Sequence, residues 1–187
     1  PDLPPAGRRA LWLDAARVLA RLHQVDWHAA GLEGFGKTTD YYQRQVARWG
    51  KQWEASRTRT DRLVDELAAW FAANVPGENA ATIVHGDYRI GNLIHDPATG
   101  SITGVLDWEL STLGDPMADL GHWMMFYRFA PDQLGGVAGL DLDALGIPGA
   151  DAYQARYRAE GGAQGDFTPF HRAIAIYRMA VIIEGIT

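Results

Sequence analysis

The residues most able to do chemistry lie in two short stretches, IVHGDYRIGNLI (83–94) and VLDWE (105–109). Asp87 and Asn92 stand five apart on a loop between apolar, β-branched runs, so both side chains can point into one cleft. Asp107 ends an apolar strand and can complete that cleft from across a hairpin. Strand ends hold functional groups more rigidly than free loops do. Carboxylate and amide oxygens, with no cysteine in the chain and no paired histidines, suit a hard cation such as Mg2+. Such an ion keeps some water and takes its remaining ligands from substrate phosphates. Taken singly, an Asp or Asn near a turn caps or hydrogen-bonds locally. Only the joint pattern points to a site.

The flanking sequence must position this cluster, and most of it is helical. PDLPPAG reads as a linker, because its prolines and glycine resist regular structure. Leu11, Ala15, Val18 and Leu22 then recur at helical spacing opposite Arg9, Asp14, Arg17 and Arg21, and the tail of that helix is expected to expose His23, Asp26 and His28. A second helix is expected from the caps Thr39 and Asp40, with Tyr42, Val46, Trp49 and Trp53 on one stripe. A third begins at Asp61 and turns Leu63, Leu67, Trp70 and Phe71 inward until Val75-Pro76-Gly77 stops it. From residue 81 the texture becomes strand-like: ATIVHGD is a short strand, and NLIHDPATGSITGVLDW is a hairpin around DPATG. Asp115 reads as an N-cap with Pro116 at the first helical position, opening a helix through Met117, Leu120, Met124 and Tyr127. Residues 130–150 read as a long surface loop. Helices resume over 151–160 and from Thr168-Pro169 to the end, the last apolar on nearly every face and therefore central in a bundle.

With 47% hydrophobic and 21% charged residues in 187, the chain is expected to fold as a single α+β domain, residues 1–187, mostly helical, with the hairpin carrying the site. A net charge of -6, and no basic run longer than Arg8-Arg9, argue against nucleic acid and anionic membrane as partners. The absence of cysteine removes disulfides, thiolate catalysis and zinc–cysteine sites, and is compatible with a reducing, cytoplasmic location. The most apolar run, 173–183, is short and carries Arg178, so no membrane span is expected. Both ends read as cut from something longer: the chain opens on Pro1 and stops at 184–187 directly after an apolar helical pattern.

GLEGFGKT, residues 31–38, matches the G-x-x-x-x-G-K-[ST] phosphate-loop pattern letter for letter. A phosphate loop needs a buried strand that delivers its glycines to a helix N-terminus. Here HQVDWHAA precedes it, the tail of an amphipathic helix, and the first eighty residues contain no βα repeat. The segment reads as a glycine-rich connector.

HGDYRIGN followed by VLDWELSTLGDPMADLG resembles the aminoglycoside phosphotransferase family of protein-kinase-like small-molecule kinases, and more closely its branch associated with acyl-CoA dehydrogenases. The specific stretch is 83–121; helical flanks such as FGKTTDYYQRQVARW are similar over most of the chain. The resemblance implies the C-terminal lobe of a kinase-like fold that uses ATP and Mg2+ to phosphorylate a hydroxyl group of a small molecule, either a hydroxyacyl metabolite or an aminoglycoside-like compound. It implies that Asp87 is the catalytic base or orienting carboxylate and that Arg89 stands near the transferred phosphoryl group. It implies too that Asn92 and Asp107 bind the metal–nucleotide, that His85 braces the loop, and that Asp119 holds the loop from below; read from the residues alone, Asp115 is simply a helix cap. The strand lysine and phosphate-covering loop of an N-terminal lobe have no counterpart, since the only lysines are Lys37 and Lys51, and activity is expected to require such a lobe.

Two other readings compete. One is a catalytically silent binding module on the same scaffold, against which the retention of Asp87, Asn92 and Asp107 argues. The other is a metal-dependent phosphohydrolase using His85, Asp87, Asp107 and His95, which predicts hydrolysis without ATP. Arg89 fits either a phosphate contact or a surface salt bridge. His95 and His122 are assigned to core or surface, and Tyr41, Tyr42, Trp49, Trp53 and Trp123 to the core.

Overall fold

A computed structural model describes residues 3–186. Pro1 and Asp2 of the expected linker, and Thr187, lie outside the described residues. Helix α1 spans Pro5–His23, so the helix begins inside the proline-rich stretch: Pro5 sits in the first turn, where its missing N–H costs nothing. Leu11, Ala15, Ala16 and Leu19 are buried along it. Helix α2 (Tyr41–Ser56) buries Tyr41, Tyr42, Trp49 and Trp53. Helix α3 (Arg62–Ala73) is capped by Asp61, whose carboxylate accepts from the N–H groups of Leu63 and Val64. Its inward stripe is rotated by about one residue from the expected one. Val64, Leu67, Ala68 and Phe71 face the core, while Leu63 and Trp70 are exposed.

Strand β1 (Thr82–Val84) leads to the loop bearing Asp87, and a 3-10 turn over Ile90–Asn92 leads into β2 (Leu93–His95). β2 pairs antiparallel with β3 (Ile102–Val105), as the hairpin pattern predicts. One pairing is not evident in the sequence. Thr112–Gly114 forms β4 and pairs antiparallel with β1, giving two separate two-stranded sheets that flank the loop. Helix α4 spans Met117–Met125, one residue later than expected, with Pro116 at the N-cap and the Asp115 carboxylate accepting from Met117 N–H. The 130–150 segment is not wholly loop, since α5 (Leu142–Leu145) lies within it, capped by Asp141. Helices α6 (Ala150–Ala159) and α7 (Pro169–Glu184) follow.

α7 sits centrally, packed on α4, α2 and α3, while α1 packs on α6. Close approach of α4 and α7 depends on Gly121: a Cβ there would lie 2.4 Å from the His171 carbonyl oxygen. Phe71 joins the helices, its ring edge-on to Phe170 at 5.4 Å and to Tyr177 at 5.3 Å. Among the described residues no helix is long and apolar enough to cross a membrane.

The cap of α2 departs from expectation. Asp40 adopts a left-handed φ of 55° and makes no side-chain cap bond. Glu78, distant in sequence, accepts instead from the N–H groups of Asp40 at 2.7 Å and Tyr42 at 3.3 Å. Glu78→Ala should therefore lower stability by about 1 kcal/mol in urea unfolding. Asp40→Gly, which keeps the N–H and removes the left-handed strain, should leave stability unchanged or raise it. A larger loss in the second variant would return the cap to Asp40.

Candidate active site

The loop at 85–92 is fastened to four different elements. From α4, the fully buried Asp119 carboxylate accepts from His85 N–H at 2.7 Å and from Gly86 N–H at 2.8 Å, and its Oδ2 lies 3.3 Å from His23 Nε2 of α1. Burial works against this charge. The hydrogen bond and charge of His23, then the two backbone N–H groups, outweigh it and hold the carboxyl below the usual carboxylate range. From α7, Arg178 donates to the Gly86 carbonyl at 2.7 Å. The buried Tyr88 hydroxyl donates to the Ala15 carbonyl of α1 at 2.8 Å. To the hairpin, the His85 ring donates from Nε2 to the Leu106 carbonyl at 2.9 Å, while its Nδ1 accepts from Asp87 N–H at 3.2 Å. That pair of bonds specifies the Nε2–H tautomer. Gly86 makes the turn possible, with φ at +84° and room for no Cβ, which would lie 2.6 Å from the Leu110 carbonyl oxygen.

This bracing joins Asp87 to Asn92 and ties Asn92 to the residue before Asp107. Asn92 Nδ2 donates to the Asp87 carbonyl at 2.9 Å and to Asp87 Oδ2 at 2.8 Å, which leaves Asn92 Oδ1 free of that contact. Leu106 N–H donates to the Asn92 carbonyl at 2.8 Å, so Leu106 is gripped on one side by Asn92 and on the other by His85. Asp107 is the next residue, turned by a left-handed φ of 66°, and its carboxylate has no hydrogen-bond or ion-pair partner among the described residues. An unpaired carboxylate one residue beyond Leu106, together with an unpaired amide oxygen on the Asn92 to which Leu106 is bonded, is a hard, incomplete donor set. It fits Mg2+ that draws its other ligands from phosphate and water.

Asp87 accepts from Arg89 Nε at 3.1 Å, and His122 Nε2 lies 2.9 Å from its other oxygen. Partial burial works against the Asp87 charge; His122, Arg89 and Asn92 outweigh it and hold the carboxyl well below the usual range. Burial pushes the His122 ring downward, Asp87 opposes this, and Arg178 adds to it. The net direction leaves the imidazole neutral at pH 7, so Arg89 and Asn92 are the constant partners of the carboxylate. The His122 contact is short but lies off the N–H line, and neither ring nitrogen has a well-aligned hydrogen bond.

Several expectations need correction. His23 is buried, not exposed, because Asp119 and the Tyr157 hydroxyl, 2.6 Å from its Nδ1, give both ring nitrogens partners inside the core. His122 is buried as assigned but touches Asp87, a contact legible only as i, i+3 spacing from Asp119 on one helix face. Asp115 is more than a helix cap: it also accepts from Asn79 N–H at 2.8 Å, tying down the segment before β1. Arg89 pairs with Asp87 and lines an apolar cavity of about 290 Å³ with Trp12, Trp123, Phe126 and Val137. Among the described residues no three His, Asp or Glu side chains could hold a metal ion, so the phosphohydrolase set of His85, Asp87, Asp107 and His95 is not assembled. Residues 31–38 form turns and coil after α1 with no strand before them, as expected of a connector.

The profile of the phosphotransferase enzyme family matches residues 1–165. Mouse acyl-CoA dehydrogenase family member 10 is 38% identical over the whole chain, and human acyl-CoA dehydrogenase family member 11 is 33% identical over the whole chain. The chain spans only 18% and 24% of those two proteins. A crystal structure from Ralstonia eutropha, given provisionally as an aminoglycoside phosphotransferase, superposes with a TM-score of 0.93 at 43% identity, covering all of this chain and 57% of that one. Macrolide 2'-phosphotransferase type I shares the fold at a TM-score of 0.68 and 22% identity, over 94% of this chain and 52% of that one.

Removing the Asp119 carboxylate would leave two buried N–H groups and His23 without their partner. Asp119→Ala should cost about 3–5 kcal/mol by urea denaturation, against a far smaller effect from an exposed acid such as Asp143. The folded-state carboxyl is depressed, so this stabilisation is fully present above the ordinary carboxylate range and is lost as pH falls through and below it. The variant's deficit should accordingly shrink in acid. A deficit that persists unchanged there would rule out an ionised Asp119 as the anchor.

Proposed function

This chain belongs to the phosphotransferase enzyme family, and on that premise we propose that it transfers the γ-phosphoryl group of ATP to a hydroxyl group of a small molecule. The observation that carries the reading is the join of Asp87 to Asn92 and of Asn92 to the strand end bearing Asp107. Asp87 receives the acceptor hydroxyl as a hydrogen-bond donor and aims its oxygen in line at the γ-phosphorus. As the new O–P bond forms and the bond to the leaving ADP oxygen breaks, the hydroxyl proton passes to the Asp87 carboxylate and on to solvent. A carboxyl with so low a pKa is a weak base, so Asp87 works mainly by orientation, which suits a loose transition state that needs little proton removal. Arg89, exposed at its tip and anchored to Asp87, supplies positive charge where equatorial phosphoryl oxygens would lie. Asn92 and Asp107 would hold Mg2+, which when bound neutralises charge on the phosphates.

The curated relatives, named for acyl-CoA dehydrogenases, favour a hydroxyacyl metabolite over an aminoglycoside as acceptor. Retention of all three site groups disfavours a silent binding module. The reading includes a longer protein whose remaining part closes over the nucleotide, a cytoplasmic location where ATP is supplied, and neither nucleic acid nor membrane as partner.

In the full-length protein, Asp87→Ala should lower kcat on the order of a thousandfold with the KM for Mg–ATP nearly unchanged, because the lost interaction orients the acceptor in the transition state. Asp107→Ala should instead raise the KM for Mg–ATP. Steady-state assays of ATP consumption check both, and undiminished turnover by the Asp87 variant would remove its role. Since Asp87 remains ionised well below the ordinary carboxylate range, its titration should produce no acid limb in kcat above about pH 4.

A further inference from the structure

A second cavity, of about 540 Å³, borders the loop at Gly86 and is not lined by Arg89. Ser111, Thr112, Lys37, Arg44, Arg48 and Arg178 line it with Gly86, and Glu109 is the single acid on the lining. The chain carries 17 Lys and Arg against 23 Asp and Glu, so four cations facing one acid is a local inversion of its charge. Some arginines elsewhere are matched, Arg17 with Asp14, Arg62 with Glu66 and Arg156 with Glu160, while others such as Arg9 and Arg21 stand singly on the exposed face of α1. Among the described residues none of the four cleft cations makes an ion pair. Arg44 donates only to the Lys37 carbonyl, at 3.0 Å. Arg178 donates to Gly86, and its Nε is buried with no acceptor.

Trp49 holds two of these cations in place, with the Arg48 guanidinium 5.1 Å and the Arg178 guanidinium 5.5 Å from its ring centroid. Arg44, Arg48 and Lys51 recur at i, i+4 and i+7, so the positive stripe continues for about 10 Å along α2. Gathering like charges without counter-charges is unfavourable in the free protein, and an anion relieves it. Arginine forks match carboxylate and phosphate geometry. The nucleotide is not the anion in question, because neither Asn92 nor Asp107 nor Arg89 lines this cleft. One lining residue, Gly86, is bonded directly to Asp87, about 3.8 Å away between Cα atoms.

We propose that this cleft is the anion-recognising half of the acceptor site. The acceptor bears a phosphate or carboxylate group that Arg44, Arg48 and Lys37 engage while its hydroxyl reaches Asp87, and polycationic acceptors such as aminoglycosides are repelled. The term acceptor rests on the phosphotransferase reading; anion binding in the cleft does not.

Titration calorimetry of the chain with inorganic pyrophosphate, and separately with citrate, in EDTA at low salt tests the cleft without nucleotide chemistry. Pyrophosphate binding tighter than citrate marks a phosphate group, and the reverse order a carboxylate. The double variant Arg44→Glu/Arg48→Glu should bind the preferred anion about tenfold or more weakly. Arg9→Glu/Arg21→Glu, the same charge change on the exposed face of α1, should bind as wild type does, with both variants melting like wild type. No binding by wild type, a smaller loss, or an equal loss in the α1 variant overturns the proposal. ATP consumption by the full-length wild-type protein, assayed with hydroxyl acceptors, separates the two claims. Anion binding lost with the cleft charges while the wild type transfers no phosphoryl group to any hydroxyl acceptor would sink the phosphotransfer reading and leave the cleft. The opposite pair of results would do the reverse.

Discussion

A single buried carboxylate governs this structure. Asp119 has no solvent contact, yet it stays ionised because two loop N–H groups and His23 converge on it. An uncompensated charge at that depth would be prohibitive, so the three donors cannot leave singly without cost. Those N–H groups belong to His85 and Gly86, the residues directly before Asp87. The electrostatic requirement of one side chain in a helix thereby sets the backbone from which the candidate catalytic carboxylate projects.

From that anchor the remaining contacts follow in sequence. His85, held by its backbone, uses its ring to grip Leu106, and Leu106, bonded to Asn92, is followed by Asp107. Arg178 and Tyr88 fasten the loop to α7 and α1. The loop has little regular structure of its own, and it is the helices around it that make it rigid. A group that acts by orientation needs this kind of support, since small displacements are costly to alignment. The strongly depressed Asp87 carboxyl agrees with such a role better than with strong basicity.

The surroundings of the loop are asymmetric. Arg89 meets an aromatic and aliphatic cavity; Gly86 borders one lined by unpaired cations. The net negative charge of the chain conceals this division, because a sum over residues says nothing of where they gather. A fold shared with solved aminoglycoside phosphotransferases likewise says nothing of the acceptor, which depends on the lining of the cleft and not on the fold.

The linear sequence was sufficient for whatever depends on near neighbours. Helical periodicity located six of the seven helices among the described residues, the DPATG turn located the β2–β3 hairpin, and the five-residue spacing of Asp87 and Asn92 put them on one loop. Local signals failed where a distant group took over a local role. Glu78 replaced Asp40 as the cap of α2, β4 found β1 across the loop, and the rotated α3 stripe was settled by which face α2 and α7 covered. His23 and His122 were invisible for the same reason, since each draws its significance from a carboxylate that only folding brings near. Residue types and their spacing determined which carboxylate, amide and guanidinium groups the loop carries. Tertiary packing alone decided which of them are charged, paired or free, because burial and long-range contact set the energy of a charge and neither is a property of the chain in one dimension.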